Sequence, residues 1–418
     1  MRGPTAIIAA VIISAEFCLG SNCQCREMEA ARGRNFGSEI IVKGENFPGI
    51  DASGSSDSAP HINEAIRGGG RVLELPCGTY LVKSVITAPS RTELRGSGPC
   101  TKIKVSPALA PNYNIAQMPG GRADFASVFS NENFVAGNSN IHIHNLTVDA
   151  SAGLNEKKFV HLIFMYNSTE VLIENVTLIG AKGHSVQDGV AFVKSSYFEV
   201  RNSKSESVAN ACYDVWGGSH DFSIHNNICD GDGRVEYGIL LNGLVNSNEK
   251  GVTHAATVNN NEIRNVRGIG IWIGGLWNQS EISPLFGLVK DLRVAGNLVE
   301  NVALRSGIVV TDSEDIQVED NRIHNVGANG IAVSSQFTGA SSRIDIFRNM
   351  ISSSNTRCID ADGIRIGRRA DEVKLVLNTV FGELHKYAIR IDPEAKHIEV
   401  VKGKMQRGTA GLLSGSGL

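Results

Sequence analysis

Acidic, imidazole and amide side chains crowd one stretch of this chain. His184, Gln187 and Asp188 come first, then Asn210, Asp214 and His220-Asp221, then Asp230, Asp232, Arg234 and Glu236. Two carboxyl groups can divide the work of cleaving an acetal, one protonating the leaving oxygen and the other activating water. Asp188 with Asp214 is the first candidate pair, and Asp214 with Asp232 or Glu236 is the alternative. His184 and His220 are candidate general bases. The pattern requires no cofactor, although Asp188, Asp214 and Asp230 offer the oxygen ligands that Ca²⁺ takes. Trp216, Trp272 and Trp277 present flat faces on which sugar rings stack, with Asn242 near them. Arg234, Arg365 and Arg390 are cations able to grip a carboxylate with two parallel hydrogen bonds. Elimination on a uronic acid would need such cations or a bound Ca²⁺. Asp in Gly-rich turns is also an ordinary turn residue, which weighs most on Asp230 and Asp232.

A repeat sets these residues in space. One phrase returns from residue 139 onward: a Ser turn, an alternating strand, an Asn, a loop and a Gly-led strand. STEVLIEN at 168, SSYFEVRN at 195, SHDFSIHN at 219 and SSRIDIFRN at 341 carry the first half. GVAFV at 189, CYDVW at 212, GILLN at 238, GIWIG at 270, GIVVT at 307, GIAVS at 330, GIRIG at 363 and AIRID at 388 carry the second. No unit contains an amphipathic helix, and each is too short to close its own core. Stacked units of two or three strands per coil predict a parallel β-helix of about ten coils. Asn145, Asn175, Asn202, Asn261, Asn297, Asn321, Asn349 and Asn378 would stack as an internal amide ladder.

Aligning the Gly-led strands sorts inward from outward residues. One outward column holds Ala191, Asp214, Leu240, Trp272, Val309, Ala332, Arg365 and Arg390. The next holds Val193, Trp216, Asn242, Gly274, Thr311, Ser334, Gly367 and Asp392. Asp188 and Asp214 then fall on adjacent coils, three residues apart along the strand, with Cα atoms roughly 11 Å apart. Side chains of that reach bring two carboxyls into the ~6.5–9.5 Å range of an inverting glycosidase. Long insertions at 243–256 and 275–290 leave neighbouring coils at one corner and are expected to wall a groove along Asp214, Trp216, Asn242 and Trp272.

The 418 residues are 42% hydrophobic with a net charge of −3, so a large core is available and no basic field suits nucleic acid. Residues 1–20 read as a secretory signal, too short in its apolar run to span a bilayer. Residues 21–44 form an N-terminal segment, 45–135 a cap and the first coils, and 136–418 the repeated coils. Export makes the cysteines candidates for disulfides, with Cys77 and Cys100 as one pair and Cys212 and Cys229 as another.

The stretch PGIDASGSSDSAPHINEAIRGGGRVLELPCGTYLV, at 48–82, resembles the amino-terminal entry of pectate-lyase-3-type sequences, and the whole chain resembles the pectin-lyase-like superfamily. That resemblance implies an all-β, single-stranded, right-handed parallel β-helix whose open end is capped by a helix near 61–67. It implies no single activity, because the superfamily includes lyases, hydrolases, epimerases and tailspikes. QDGVAFV, at 187–193, is similar to the Asp-Gly strand of polygalacturonases. Their paired-Asp and Gly-His-Gly signatures do not follow, so no family's catalytic set transfers to this chain. The expectation is a secreted, extracellular or periplasmic enzyme that binds and cleaves an acidic polysaccharide as a lyase or glycoside hydrolase. A non-catalytic adhesin or tailspike-like binder and a uronic-acid C5-epimerase are the alternatives. The pattern leaves monomer and trimer open.

Overall fold

A computed structural model describes residues 40–112, 114, 125–153, 159–180, 186–245, 250–274, 289–334, 340–357, 360–382, 384–401 and 403–415. The expected leader, His184, Trp277 and most of the 275–290 loop lie outside these residues. Residues Ser38–Leu418 form one compact unit.

The unit is a right-handed parallel β-helix. Its longer sheet has 22 strands, and two twelve-residue strands, Asn138–Asp149 and Ser168–Ile179, each run along two of its rows. The second sheet has 12 strands, two more than the repeat suggests. Its end strands, Ile86–Ala88 and Gly411–Ser414, lie beyond the recognisable repeats. Among the described residues, the one antiparallel pairing is a short hairpin of Leu244–Val245 with Lys250–Gly251, at the root of the first long insertion. No described helix is long and apolar enough to cross a membrane.

A helix at Ala59–Ala65 caps the stack, two residues earlier than the sequence suggests because Pro60 sits in its first turn. It buries Ala59, Ile62 and Ala65 against the first coil, and Gly68, Gly69 and Gly70 turn the chain away with positive φ. The Tyr80 hydroxyl donates to Pro76 O at 2.9 Å, closing the turn that follows the first strands.

The Gly-led column has a steric origin. A Cβ on Gly238 would lie 2.4 Å from Ile263 Cγ2, and one on Gly270 would lie 2.4 Å from Val299 Cγ1. The glycine therefore marks the corner where a branched side chain from the longer sheet fills the core. In one coil the pairing is exchanged for a covalent one: Cys212 takes the glycine position and bonds Cys229, which is in register with Ile263. Cys77 and Cys100 form the other disulfide, near the cap.

The amide ladder is real but displaced at its start. Asn227, Asn261, Asn297, Asn321, Asn349 and Asn378 are linked: from Asn261 onward each side-chain oxygen accepts from the backbone N–H and the amide of the Asn one coil earlier, as in Asn297 Nδ2 to Asn321 Oδ1 at 2.9 Å. Asn145, Asn175 and Asn202 are not members. They hold the left-handed turn position, with φ of 56°, 52° and 51°, and Asn175 and Asn202 face solvent. Each turn has two residues, a left-handed one and then an inward one, and only the second can stack inside. In the coil before Asn227 the inward residue is Ser203, whose backbone N–H donates to Asn227 Oδ1 at 2.9 Å.

Candidate active site

The strand Val186–Val193 carries an irregularity at its start. Val186 pairs with Val160 while Asp188 pairs with His161, so Gln187 is an extra residue in a β-bulge. Asp188 lies on the outer face of the second sheet, just before the corner at Gly189 and in register with Ala211 of the next strand. The residue before each corner thus forms a third outward column, in which His161, Asp188, Ala211, Tyr237 and Ile269 follow one another across neighbouring strands.

Asp188 is 2% exposed and well satisfied. Its Oδ1 accepts from Asn210 Nδ2 at 2.8 Å and from the Ala211 backbone N–H at 3.0 Å. Its Oδ2 lies 2.8 Å from His161 Nδ1, a close contact that is not aligned as a hydrogen bond. Asp214, opposite Ala191 on the next strand, is 7% exposed, and its Oδ1 is buried without a hydrogen-bond partner. Burial first, and the Asp188 carboxylate second, push the Asp214 carboxyl well above the usual carboxylate range. The Val215 backbone N–H opposes them only in part. Two adjacent carboxyls thus differ: Asp188 is hydrogen-bonded, and Asp214 is biased to keep its proton.

Tyr237 and Asn242 complete the surround. Burial, the nearby Glu236 and then Asp214 raise the Tyr237 phenol above its ordinary value, against an opposing Arg305. Asn242 is 1% exposed, and neither end of its amide is hydrogen-bonded. Buried polar atoms without partners are rare and call for a ligand or a water.

A family model for rhamnogalacturonase A/epimerase, pectate lyase-like proteins matches residues 48–178. Solved β-helices superpose over most of the chain. The A-module of the Azotobacter vinelandii mannuronan C-5 epimerase AlgE4 covers 90% of this chain and 100% of its own, with 16% identity and TM-score 0.62. PfbA, a surface adhesin of Streptococcus pneumoniae, covers 90% and 94%, with 16% identity and TM-score 0.59. A Yersinia enterocolitica family 28 exopolygalacturonase covers 90% and 78%, with 11% identity and TM-score 0.57. The chain shares the right-handed parallel β-helix fold of these proteins. No curated protein sequence matches it. The matched segment includes His161 but stops short of Asp188 and Asp214, and identities this low carry the fold alone.

The β-helix places the remaining candidates as follows. Trp216 is half-buried on the outer face, packed against Phe134, Phe164, Tyr166, Ala191 and Val193. Trp272 is not an open platform: it is 4% exposed, packed with Ala211, Leu240, Ile269 and Tyr237, and its indole N–H donates to Thr311 Oγ1 at 3.0 Å. Glu236 pairs with Arg267 at 2.9 Å. Asp232 and Arg234 face each other at 3.8 Å in an exposed turn rather than beside Asp214. His220 and Asp230 belong to the longer sheet. His220 pairs with Asp221 and stacks on His254. Asp230 binds Arg264 and Asn265, which hold its carboxyl below the usual range against the cost of burial. The Ca²⁺ set of Asp188, Asp214 and Asp230 is therefore not assembled. Arg365 and Arg390 keep the Asp214 column but gather around Asp360, five and six strands along, about 24 and 29 Å at the usual strand spacing. His161 and Tyr237 are the residues that sequence reasoning missed. The signal for Tyr237 was its place before the corner glycine Gly238; His161 is followed by Leu162 and has no such signal.

Proposed function

We propose that this protein is an exported glycan-cleaving enzyme, a glycoside hydrolase in which Asp214 is the proton donor and Asp188 the base. The unequal environment of these two carboxyls carries the reading. Hydrolysis needs one carboxyl that keeps its proton and a second that accepts one, and the raised, buried Asp214 beside the hydrogen-bonded Asp188 supports that division. Asp214 gives its proton to the glycosidic oxygen as that bond breaks. Asp188 takes a proton from water, whose oxygen bonds to the anomeric carbon. Asn210 and His161 fix the direction in which Asp188 points. The one-strand, three-residue offset favours inversion of configuration. Tyr237 and half-buried Trp216 supply aromatic surface for the sugar, and the unpartnered amide of Asn242 offers a donor and an acceptor for its hydroxyls.

Elimination is less well served. The cations proposed for a uronic carboxylate, Arg234, Arg365 and Arg390, are not placed beside the carboxyl pair. Export is supported by the leader-like residues 1–20 and by two disulfides, which persist in oxidising compartments.

The test is incubation with a panel of acidic and neutral polysaccharides, read by reducing ends and by absorbance near 235 nm. Reducing ends without new absorbance are expected, together with inversion at the anomeric carbon by proton NMR. New absorbance means elimination and overturns the hydrolase assignment. Binding with neither signal overturns catalysis altogether and leaves a glycan-binding protein.

A further inference from the structure

A second cluster lies on the outer face of the longer sheet, in the first coils. Strand Thr92–Gly96 brings Glu93 directly opposite His142 of strand Asn138–Asp149, and His144 follows two residues on, on the same face. The two imidazoles stack at 4.0 Å between centroids. One ligand atom from each of Glu93, His142 and His144 falls within 4.8 Å of the others. Among the described residues, no other trio of His, Cys, Asp or Glu meets that condition.

We propose that Glu93, His142 and His144 form a binding site for a divalent transition metal of the zinc type. Two imidazole nitrogens and one carboxylate oxygen are a donor set that Zn²⁺ accepts and that Ca²⁺ and Mg²⁺ do not favour. The backbone prearranges it, since alternate residues of one strand and their direct neighbour on the next point the same way. Glu174, in register with His144, stands ready as a fourth ligand, with its Oε2 3.8 Å from His142 Nε2. His144 Nε2 lies 2.9 Å from Glu93 Oε1. Arg95 also touches Glu93 and Glu74. A carboxylate has lone pairs enough to keep the guanidinium and still bind a metal. Around it, Glu74, Glu93, Glu174 and Glu199 contact Lys43, Arg95, Arg201 and His225. The metal would tie two neighbouring strands together, far in sequence from the Asp188–Asp214 pair.

The test uses the untagged full chain, stripped with a chelator and titrated with Zn²⁺ by calorimetry in two buffers of different ionisation enthalpy. One equivalent should bind with release of protons, and Co²⁺ should give visible absorption of a low-symmetry nitrogen–oxygen site. His142→Ala and Glu93→Gln should each weaken Zn²⁺ binding at least about 10-fold, with far-UV dichroism unchanged. Absence of Zn²⁺ and Co²⁺ binding by the parent chain overturns the proposal without reference to any variant. So does equal binding by the parent and a His142→Ala/His144→Ala chain, and both results leave the cluster as an ion-pair network.

Discussion

Asp188 and Asp214 sit on neighbouring strands, yet Oδ1 of Asp188 accepts two hydrogen bonds and Oδ1 of Asp214 accepts none. That asymmetry makes them chemically different groups. Asp214→Asn keeps the shape of the protonated acid while removing its proton. Turnover should fall by at least about 10², the scale of a positioned acid or base, with folding intact. Full activity in this variant, on a substrate the parent cleaves, ends the assignment.

The same residue gives a pH signature in stability. The Asp214 carboxyl is raised in the folded state by burial and by Asp188. A raised acid contributes stability that is complete below its unfolded value, about 4, and is lost as pH rises through its folded value. Denaturant melts of the parent should therefore lose stability relative to Asp214→Asn as pH climbs from about 4 through that range. A constant difference across the range would show that Asp214 ionises normally.

His161 acts through Asp188 and is a positioning residue. Its Nδ1 contacts Asp188 Oδ2 while Asn210 and Ala211 hold the other oxygen. His161→Ala should lower kcat roughly 10-fold or more, the equivalent of about 1.4 kcal/mol, with KM little changed. A KM effect alone would place His161 in substrate binding instead.

The repeat made most of this fold legible. Alternation placed Ala191, Asp214, Leu240 and Trp272 in one outward row, and the structure pairs them in that register. The site was less legible, for local reasons. The outward columns were read from the residues after each corner glycine, and the residue before it, as at Asp188, Ala211 and Tyr237, forms a further column across the corner. His161 lies on a strand, Phe159–Tyr166, that lacks the corner glycine used for alignment. His220 and Asp230 lie close to Asp214 in sequence, but the corner after Trp216 carries them to the other sheet. Exposure was the other limit: an outward position in a β-helix is still buried where Tyr237 and Ile269 flank it, as they do Trp272.

That difference separates the two tryptophans experimentally. Trp272→Ala removes a buried side chain and the Thr311 hydrogen bond, so it should cost about 3–5 kcal/mol of stability. Trp216→Ala removes a half-exposed ring and should weaken glycan binding with a smaller loss of stability. Urea melts and affinity electrophoresis of both variants check this, and the opposite ranking would move the sugar-binding surface toward Trp272.

The Cys212–Cys229 bond yields the sharpest test of how the repeat is built. Opening it with Cys212→Ser/Cys229→Ser frees a loop with a sequence separation of 17 and should cost about 3 kcal/mol by the loop-entropy estimate. Two polar hydroxyls would then replace sulfurs in the core, adding a desolvation cost. Neighbouring coils solve the same corner with Gly238 against Ile263 and Gly270 against Val299. Cys212→Gly/Cys229→Ile writes that solution into this coil, since Cys229 and Ile263 are in register. The isoleucine should regain about 1.5–3 kcal/mol by burial, less the 0.5–1 kcal/mol or so that glycine costs in a strand. The Gly/Ile chain should therefore be more stable than the Ser/Ser chain by about 1–2 kcal/mol in urea under identical conditions. Equal stability would mean that the corner does not need a glycine opposite a branched side chain, and that the Gly-led repeat has another cause.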